Sequence, residues 1–282
     1  MTVCISAICE HGMIIGASDR MLTAGDIEFE SAPTSTGKEF VNKVTAINNS
    51  DSIVVMLAGD FCLQTEIVMG MMQFINASEK QSGKKWGVKD AVNLYIDFYN
   101  QVKSRLGASA ILSPLQLNQN TFIARQKEMS DGFSEIIARD LIDFPMPGVK
   151  TIIAGIDDSG SHLYKLHNNQ PTCCDSVGFA AIGSGAKHAE SQFMLRGYSR
   201  IVPQEEALWL TYMAKRKSEV APGVGEITDL FCIDTKNKKY RTLNDRLPKS
   251  QLDKIYASFE EKELCAFRDA QKELKQSLEK LA

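Results

Sequence analysis

Over the first sixty positions, short apolar runs broken by polar clusters predict sheet. Val3 to Cys9 and Met13 to Ser18 are two such runs separated by Glu10-His11-Gly12, the pattern of a hairpin with both strands buried. Leu22 to Lys38 is polar and reads as a loop. Lys43-Val-Thr-Ala-Ile47 and Ser52 to Ala58 predict a second strand pair, turning at Asn48-Asn-Ser-Asp51.

The period then becomes helical. Leu63, Ile67, Met71, Phe74 and Ile75 predict a helix from Asp60 to about Ser78. Ala91, Leu94, Tyr95, Phe98, Tyr99, Val102 and Leu106 predict another from Val88 to about Leu112. Pro114 breaks it, Phe122 to Leu141 is open to a further helical reading, and Phe144-Pro-Met-Pro-Gly148 closes the stretch. Val149 to Gly155 and Ser161 to Leu166 predict a hairpin around Asp157-Asp-Ser-Gly160, and Val177 to Ile182 a further strand. Lys187–Tyr198 and Glu205–Lys217 are helical, the second opened by Pro203-Gln-Glu-Glu206, and Glu226 to Asp234 is a last core strand. An α+β domain satisfies this order if two sheets pack face to face with a helix pair outside each, giving four αββα layers.

From Ser250 to Ala282 a charged segment keeps Leu252, Ile255, Tyr256, Phe259, Leu264, Phe267, Leu274, Leu278 and Leu281 on one stripe, which predicts a long amphipathic helix. The expected organisation is a domain over 1–248, with an insert at about 113–148, followed by a C-terminal helix over 249–282. A helix of about 30 residues spans roughly 45 Å, longer than such a core is wide, so its stripe asks for cover from a second subunit.

Composition narrows the function classes. A net charge of −3 gives no electrostatic reason to expect nucleic acid or an anionic membrane as partner. No run approaches the roughly 18 apolar residues of a membrane span, and the start of the chain lacks the basic region of a signal peptide. The seven cysteines have no zinc-type spacing and read as reduced, mostly buried thiols of a cytoplasmic protein, with no metal and no cofactor implied. Walker, GxSxG, HExxH and CxxC motifs are absent, and His11, His162, His167 and His188 are scattered.

The N-terminus remains as a source of chemistry. A small residue at position two favours removal of Met1, which would leave Thr2 with a hydroxyl and a free α-amine of reference pKa roughly 7.7–8.0, able to take the hydroxyl proton. Many chains begin Met-Thr, so this alone decides nothing.

Six motifs in order change that. Thr2-Val-Cys, Gly12-Met-Ile-Ile-Gly-Ala-Ser-Asp19 and Thr23-Ala-Gly25, then Lys43 leading a strand, Ala58-Gly59 before a helix, and Ala181-Ile-Gly-Ser-Gly185 before another resemble proteasome β-subunits and their bacterial relatives. The resemblance covers about residues 2–112 and 149–235. It implies an N-terminal-nucleophile (Ntn) hydrolase fold and a threonine-type protease in which Thr2 attacks a peptide bond. Lys43 would supply positive potential at the Thr2 hydroxyl and amine, Asp19 would hold Lys43, Gly59 N–H would meet the oxyanion, and Ser184 would support the amine. Thr23 and Gly25 would line the substrate, and Leu57 and Phe61 the pocket for the residue before the scissile bond. Family members typically form rings, so a homo-oligomer is expected; nothing in the sequence calls for an ATPase partner.

The sequence also departs from the family. Ala221 and Val224 fall near positions where an Asp and a Ser are usual, with Glu219 or Ser218 as substitutes. The loop between Thr23 and Lys43 is long, and one extra residue separates Thr2 from Asp19. The bland alternatives are a surface ion pair for Asp19 and Lys43 and a helix N-cap for Ser184. Two other functions stay open. One is a non-catalytic structural subunit of the same fold, against which Thr directly after Met1 weighs. The other is a small-molecule amidase or acylase.

Overall fold

The computed structural model describes residues 2–24, 27–30, 43–83, 85–244 and 249–279. The chain is mixed α and β, with antiparallel sheets and a long C-terminal helix. It divides into two compact units, Met1–Arg241 and Thr242–Ala282.

In the first unit, β1 (Val3–Ile8) and β2 (Ile14–Asp19) form the expected hairpin, turned by His11 and Gly12, both at positive φ. The following segment is not loop throughout: β3 (Met21–Ala24) and β4 (Ile27–Glu30) make a small hairpin of their own, while residues 31–42 lie outside the described part. β5 (Val44–Ala46) and β6 (Ile53–Gly59) follow, turned by Asn48, whose Oδ1 accepts the Ser52 and Ile53 N–H groups at 2.9 and 3.2 Å. Then come α1 (Phe61–Ser82), capped by the Asp60 side chain on Leu63 N–H and closed by left-handed Gly83, and α2 (Val88–Gly107).

The insert holds two helices where one was read: α3 (Gln119–Arg125) and α4 (Asp131–Ile142), with extended backbone at Met129 and Ser130 between them. Leu112, Phe122 and Ile137 give it a small core of its own. After it come β7 (Val149–Asp157), β8 (Gly160–His167), the unanticipated edge strand β9 (Gln170–Cys173), β10 (Phe179–Gly183), α5 (Ala186–Leu195) and α6 (Gln204–Lys217). The last core strand is β11 (Thr228–Asp234), and it is followed by β12 (Lys239–Thr242), a second edge strand not expected from the sequence.

Two five-stranded sheets result, in the orders β10-β1-β2-β11-β12 and β5-β6-β7-β8-β9. Side chains alternate along each strand, so each sheet has two apolar faces to bury. Cys4, Ile8, Ile14, Phe231 and Ile233 of the first sheet share one buried cluster with Val54, Met56, Ile152, Ala154 and Leu163 of the second. The other face of the second sheet (Ile53, Val55, Leu57, Ile153) packs with Ile67, Met71, Ile75 of α1 and Ala91, Tyr95, Tyr99 of α2. α6 contacts β1 and β2, and α5 contacts β10 and β1.

In the second unit, α7 (Lys249–Glu279) leaves Ile255, Leu264, Phe267, Leu274 and Leu278 exposed. No helix among the described residues is long and apolar enough to cross a membrane.

Phe231 is 1% exposed, and its ring fills the space in front of Gly16. Phe231→Ala is therefore expected to cost about 3–5 kcal/mol of unfolding free energy. Urea denaturation followed by circular dichroism measures this, and a loss near zero would show that the two sheets share no core at that point.

Candidate active site

The ends of β1, β2, β5, β6 and β10 bring Thr2, Asp19, Lys43, Gly59 and Ser184 to one place. Asp19 closes β2 and is fully buried; Lys43, just before β5, is 5% exposed, and Thr2 is 2% exposed. The Asp19–Lys43 pair, with N···O 2.6 Å, is thus buried and not a surface ion pair. The Thr2 hydroxyl lies between the two, accepting from Lys43 Nζ and donating to Asp19 Oδ1. Val3 N–H also donates to Asp19 Oδ1 at 2.9 Å, while Met21 and Gly225 N–H donate to Oδ2 at 3.3 and 2.9 Å. A buried carboxylate needs such partners, since each lone pair left unmet in the interior is costly.

Ser184 is not the cap of α5; that position belongs to Gly185, with no side-chain cap bond. Its Oγ accepts from Thr2 N at 3.3 Å and donates to the Pro222 carbonyl at 3.0 Å. Its proton has the Pro222 carbonyl as the nearer acceptor and the Thr2 carbonyl, at 3.4 Å, as the farther one, which leaves a lone pair for the Thr2 nitrogen. Gly183 makes this approach possible. It sits at φ +98, and a Cβ there would overlap the Thr2 carbonyl. Gly59 is constrained in the same way: at φ +113, a side chain would run into the Gly148 carbonyl.

Thr2, Met21, Leu22, Lys43, Leu57, Ala58, Gly59, Phe61 and Gln64 line one narrow cleft, with about 10 Å³ of free space. Leu57 and Phe61 are both on it, although Leu57 also packs in the core beneath α1 and α2. Gln64 was not foreseen; its amide donates to the Ala58 carbonyl at 2.7 Å and so steadies the Ala58-Gly59 turn. Of the two expected loop residues, Thr23 lies in β3 opposite Glu28, and Gly25 lies outside the described residues.

The two residues that the resemblance offered as substitutes, Ser218 and Glu219, are engaged elsewhere. Ser218 Oγ donates back to the Ala214 carbonyl at 2.6 Å, and the Glu219 carboxylate pairs with Lys215 at 2.6 Å. Backbone groups of the same loop, the Gly225 N–H and the Pro222 carbonyl, are what reach Asp19 and Ser184.

Other nucleophiles fit less well. The Cys4 thiol, two residues after Thr2, is pushed up to about 12 by burial, against the opposing pull of Lys43, so it stays protonated at neutral pH. Ser159, His162 and Asp175 align at 2.8 and 2.7 Å in the manner of a triad, an arrangement invisible in the sequence. The Ser159 hydroxyl also donates to Asp157 Oδ1 at 2.6 Å, which ties the three side chains into one network with Asp157. That cluster staples the β7–β8 turn. Among the described residues, no group of His, Cys, Asp and Glu side chains is arranged to hold a metal ion.

Comparison with known proteins adds no assignment: no family model matches the chain, and no curated protein matches it.

Removing one member of a buried ion pair strands the other. Asp19→Asn and Lys43→Met are each expected to cost about 3–5 kcal/mol, and the double variant to cost less than the sum of the two. Denaturation midpoints of the four proteins measure this; strict additivity would mean the two charges do not interact.

Proposed function

We propose that the chain is a threonine-type Ntn hydrolase that cleaves peptide bonds through an acyl-enzyme on Thr2, and that its two sheets and helix pairs form the four-layer sandwich of that class. The observation that carries this reading is the Thr2 hydroxyl held between Lys43 and Asp19 on a cleft, with its own nitrogen turned to Ser184.

The chemistry follows from those contacts. While Met1 is attached, the Thr2 nitrogen is an amide whose lone pair is delocalised and takes no proton. Freed as an α-amine, it accepts the proton of the Thr2 hydroxyl as the oxygen attacks the substrate carbonyl. Lys43 stabilises negative charge growing on the attacking oxygen, and Gly59, at the cleft, meets the oxyanion of the tetrahedral intermediate. The amine then passes its proton to the leaving amine, the C–N bond breaks, and an ester to Thr2 remains. Water, deprotonated by the same amine, hydrolyses that ester and restores the hydroxyl. Leu57 and Phe61 on the cleft favour an apolar side chain before the scissile bond, because a charge there would lose hydration without gaining a partner.

Assembly belongs to the same proposal. α7 exposes Leu264, Phe267, Leu274 and Leu278, and the insert exposes Ile123, Ile136 and Ile142. Apolar stripes of this kind suit burial in a homo-oligomer.

Intact mass of the purified protein should show Met1 removed, and a β-lactone or epoxyketone should label Thr2 once per chain. Thr2→Ala should abolish labelling and hydrolysis with the fold retained, while Lys43→Ala should cost at least ~10²-fold in kcat. Full activity in Thr2→Ala would end the nucleophile reading. A fluorogenic peptide panel should favour Leu or Tyr before the scissile bond over Lys, Arg, Asp or Glu. Light scattering at micromolar concentration should find an oligomer, and a chain ending near residue 248 a smaller one; a full-length monomer would refute the assembly.

A further inference from the structure

Near the Thr2 cluster lies a second buried cation that the chemistry above does not use. Lys215, in the last turn of α6, is 0% exposed. Placing an ammonium inside a protein carries a large desolvation penalty, and burial draws this one below the ordinary lysine range against the opposing pull of Glu219. Its three protons have three acceptors. They go to Glu219 Oε1 at 2.6 Å, the Gly225 carbonyl at 2.9 Å and the Glu226 carbonyl at 3.0 Å.

Two of those acceptors belong to the loop that serves the site. The same Gly225 whose carbonyl faces Lys215 gives its N–H to Asp19 Oδ2, and Pro222, three residues earlier, holds the Ser184 hydroxyl. A chain of contacts therefore runs from Lys215 through Gly225 to Asp19, and from Asp19 to Lys43 and the Thr2 hydroxyl. In most loops a glycine between Val224 and Glu226 would be free to turn. Here both of its peptide groups are fixed, one by a cation and the other by an anion.

We propose that Lys215 is a positioning residue for the Thr2 reaction: its ammonium clamps residues 222–226 so that backbone groups of this loop, in place of side chains at 221 and 224, set Asp19 and Ser184. The proposal rests on the Thr2 reading and deepens it. It also accounts for an otherwise unfavourable feature, since an apolar residue at 215 would avoid the desolvation penalty but take the Lys215 donor away from both carbonyls.

Lys215→Met, of similar length and without charge, tests the clamp in the full-length protein, with Lys215→Gln, which keeps one amide donor, as its milder counterpart. The measurements are kcat and KM on an apolar fluorogenic peptide, normalised to probe-labelled Thr2, and hydrogen exchange resolved by peptide. Lys215→Met should lose roughly 10- to 100-fold in kcat with KM within about twofold, as expected when reacting groups are misplaced but the pocket is kept. Exchange should quicken at 222–227 and stay unchanged in β1, β2 and β6, with Lys215→Gln intermediate in both readouts. Wild-type kcat with unchanged exchange at 222–227 would overturn the proposal, as would faster exchange spread evenly over the sheets. If Lys215→Met does not fold, Lys215→Gln is judged by the same criteria. A wild-type protein that neither hydrolyses nor labels would overturn the nucleophile reading alone, and the exchange measurement would still decide the clamp.

Discussion

The buried carboxylate of Asp19 is the constraint around which the site is arranged. Five donors converge on it: the Thr2 hydroxyl, the Lys43 ammonium, and the N–H groups of Val3, Met21 and Gly225. They come from the start of β1, the turn into β3, the approach to β5 and the loop before β11, segments scattered over more than two hundred residues of sequence. A charge at 0% exposure tolerates none of these being lost cheaply, so the carboxylate fixes the relative placement of all of them. The cluster is expensive in stability, and the apolar clusters on both faces of the second sheet are what the fold sets against it.

Where the chain lacks a polar side chain, it uses peptide groups, and this shapes the local sequence. Gly183 lets β10 come against the Thr2 carbonyl, and Gly185 N–H donates to that same carbonyl at 3.3 Å. Gly225 passes between Asp19 and Lys215 with no side chain of its own to accommodate; a Cβ there would press on the Glu30 carboxylate. Backbone donors held in a rigid loop lose little on reorganisation, which makes them suited to fixing a reacting group.

The sequence made the interior legible and the edges illegible, for a physical reason. β1, β2, β6, β7 and β11 are buried on both faces and announce themselves as apolar runs. β9 (Gln170–Cys173) is exposed at every position and β12 at both ends, so neither carries an alternating signal. The β3–β4 hairpin was read as loop because Glu28 and Glu30 interrupt it, and α3 and α4 were merged because the break at Met129-Ser130 contains neither Gly nor Pro. Within the site, Thr2, Asp19, Lys43, Gly59 and Ser184 were found through short motifs, each tied to a strand end. Lys215 was not, since a lysine near a helix C-terminus reads as a solvated charge complementing the helix dipole. Only the fold shows that α6 turns it inward.

The position of the cluster explains how the fold holds it. Thr2, Asp19 and Gly59 stand at the ends of strands buried on both faces, and Lys43 just before the short edge strand β5, where the regular ladder stops and peptide groups become available. Gln64 on α1 reaches back to the Ala58 carbonyl at 2.7 Å and to the Lys150 carbonyl at 3.3 Å, joining the helix layer to the turn that carries Gly59. On the opposite side, α6 reaches the same cluster through Lys215 and Gly225. Hydrogen bonds from α1 and α6 thus end on the segments that carry Gly59 and Asp19.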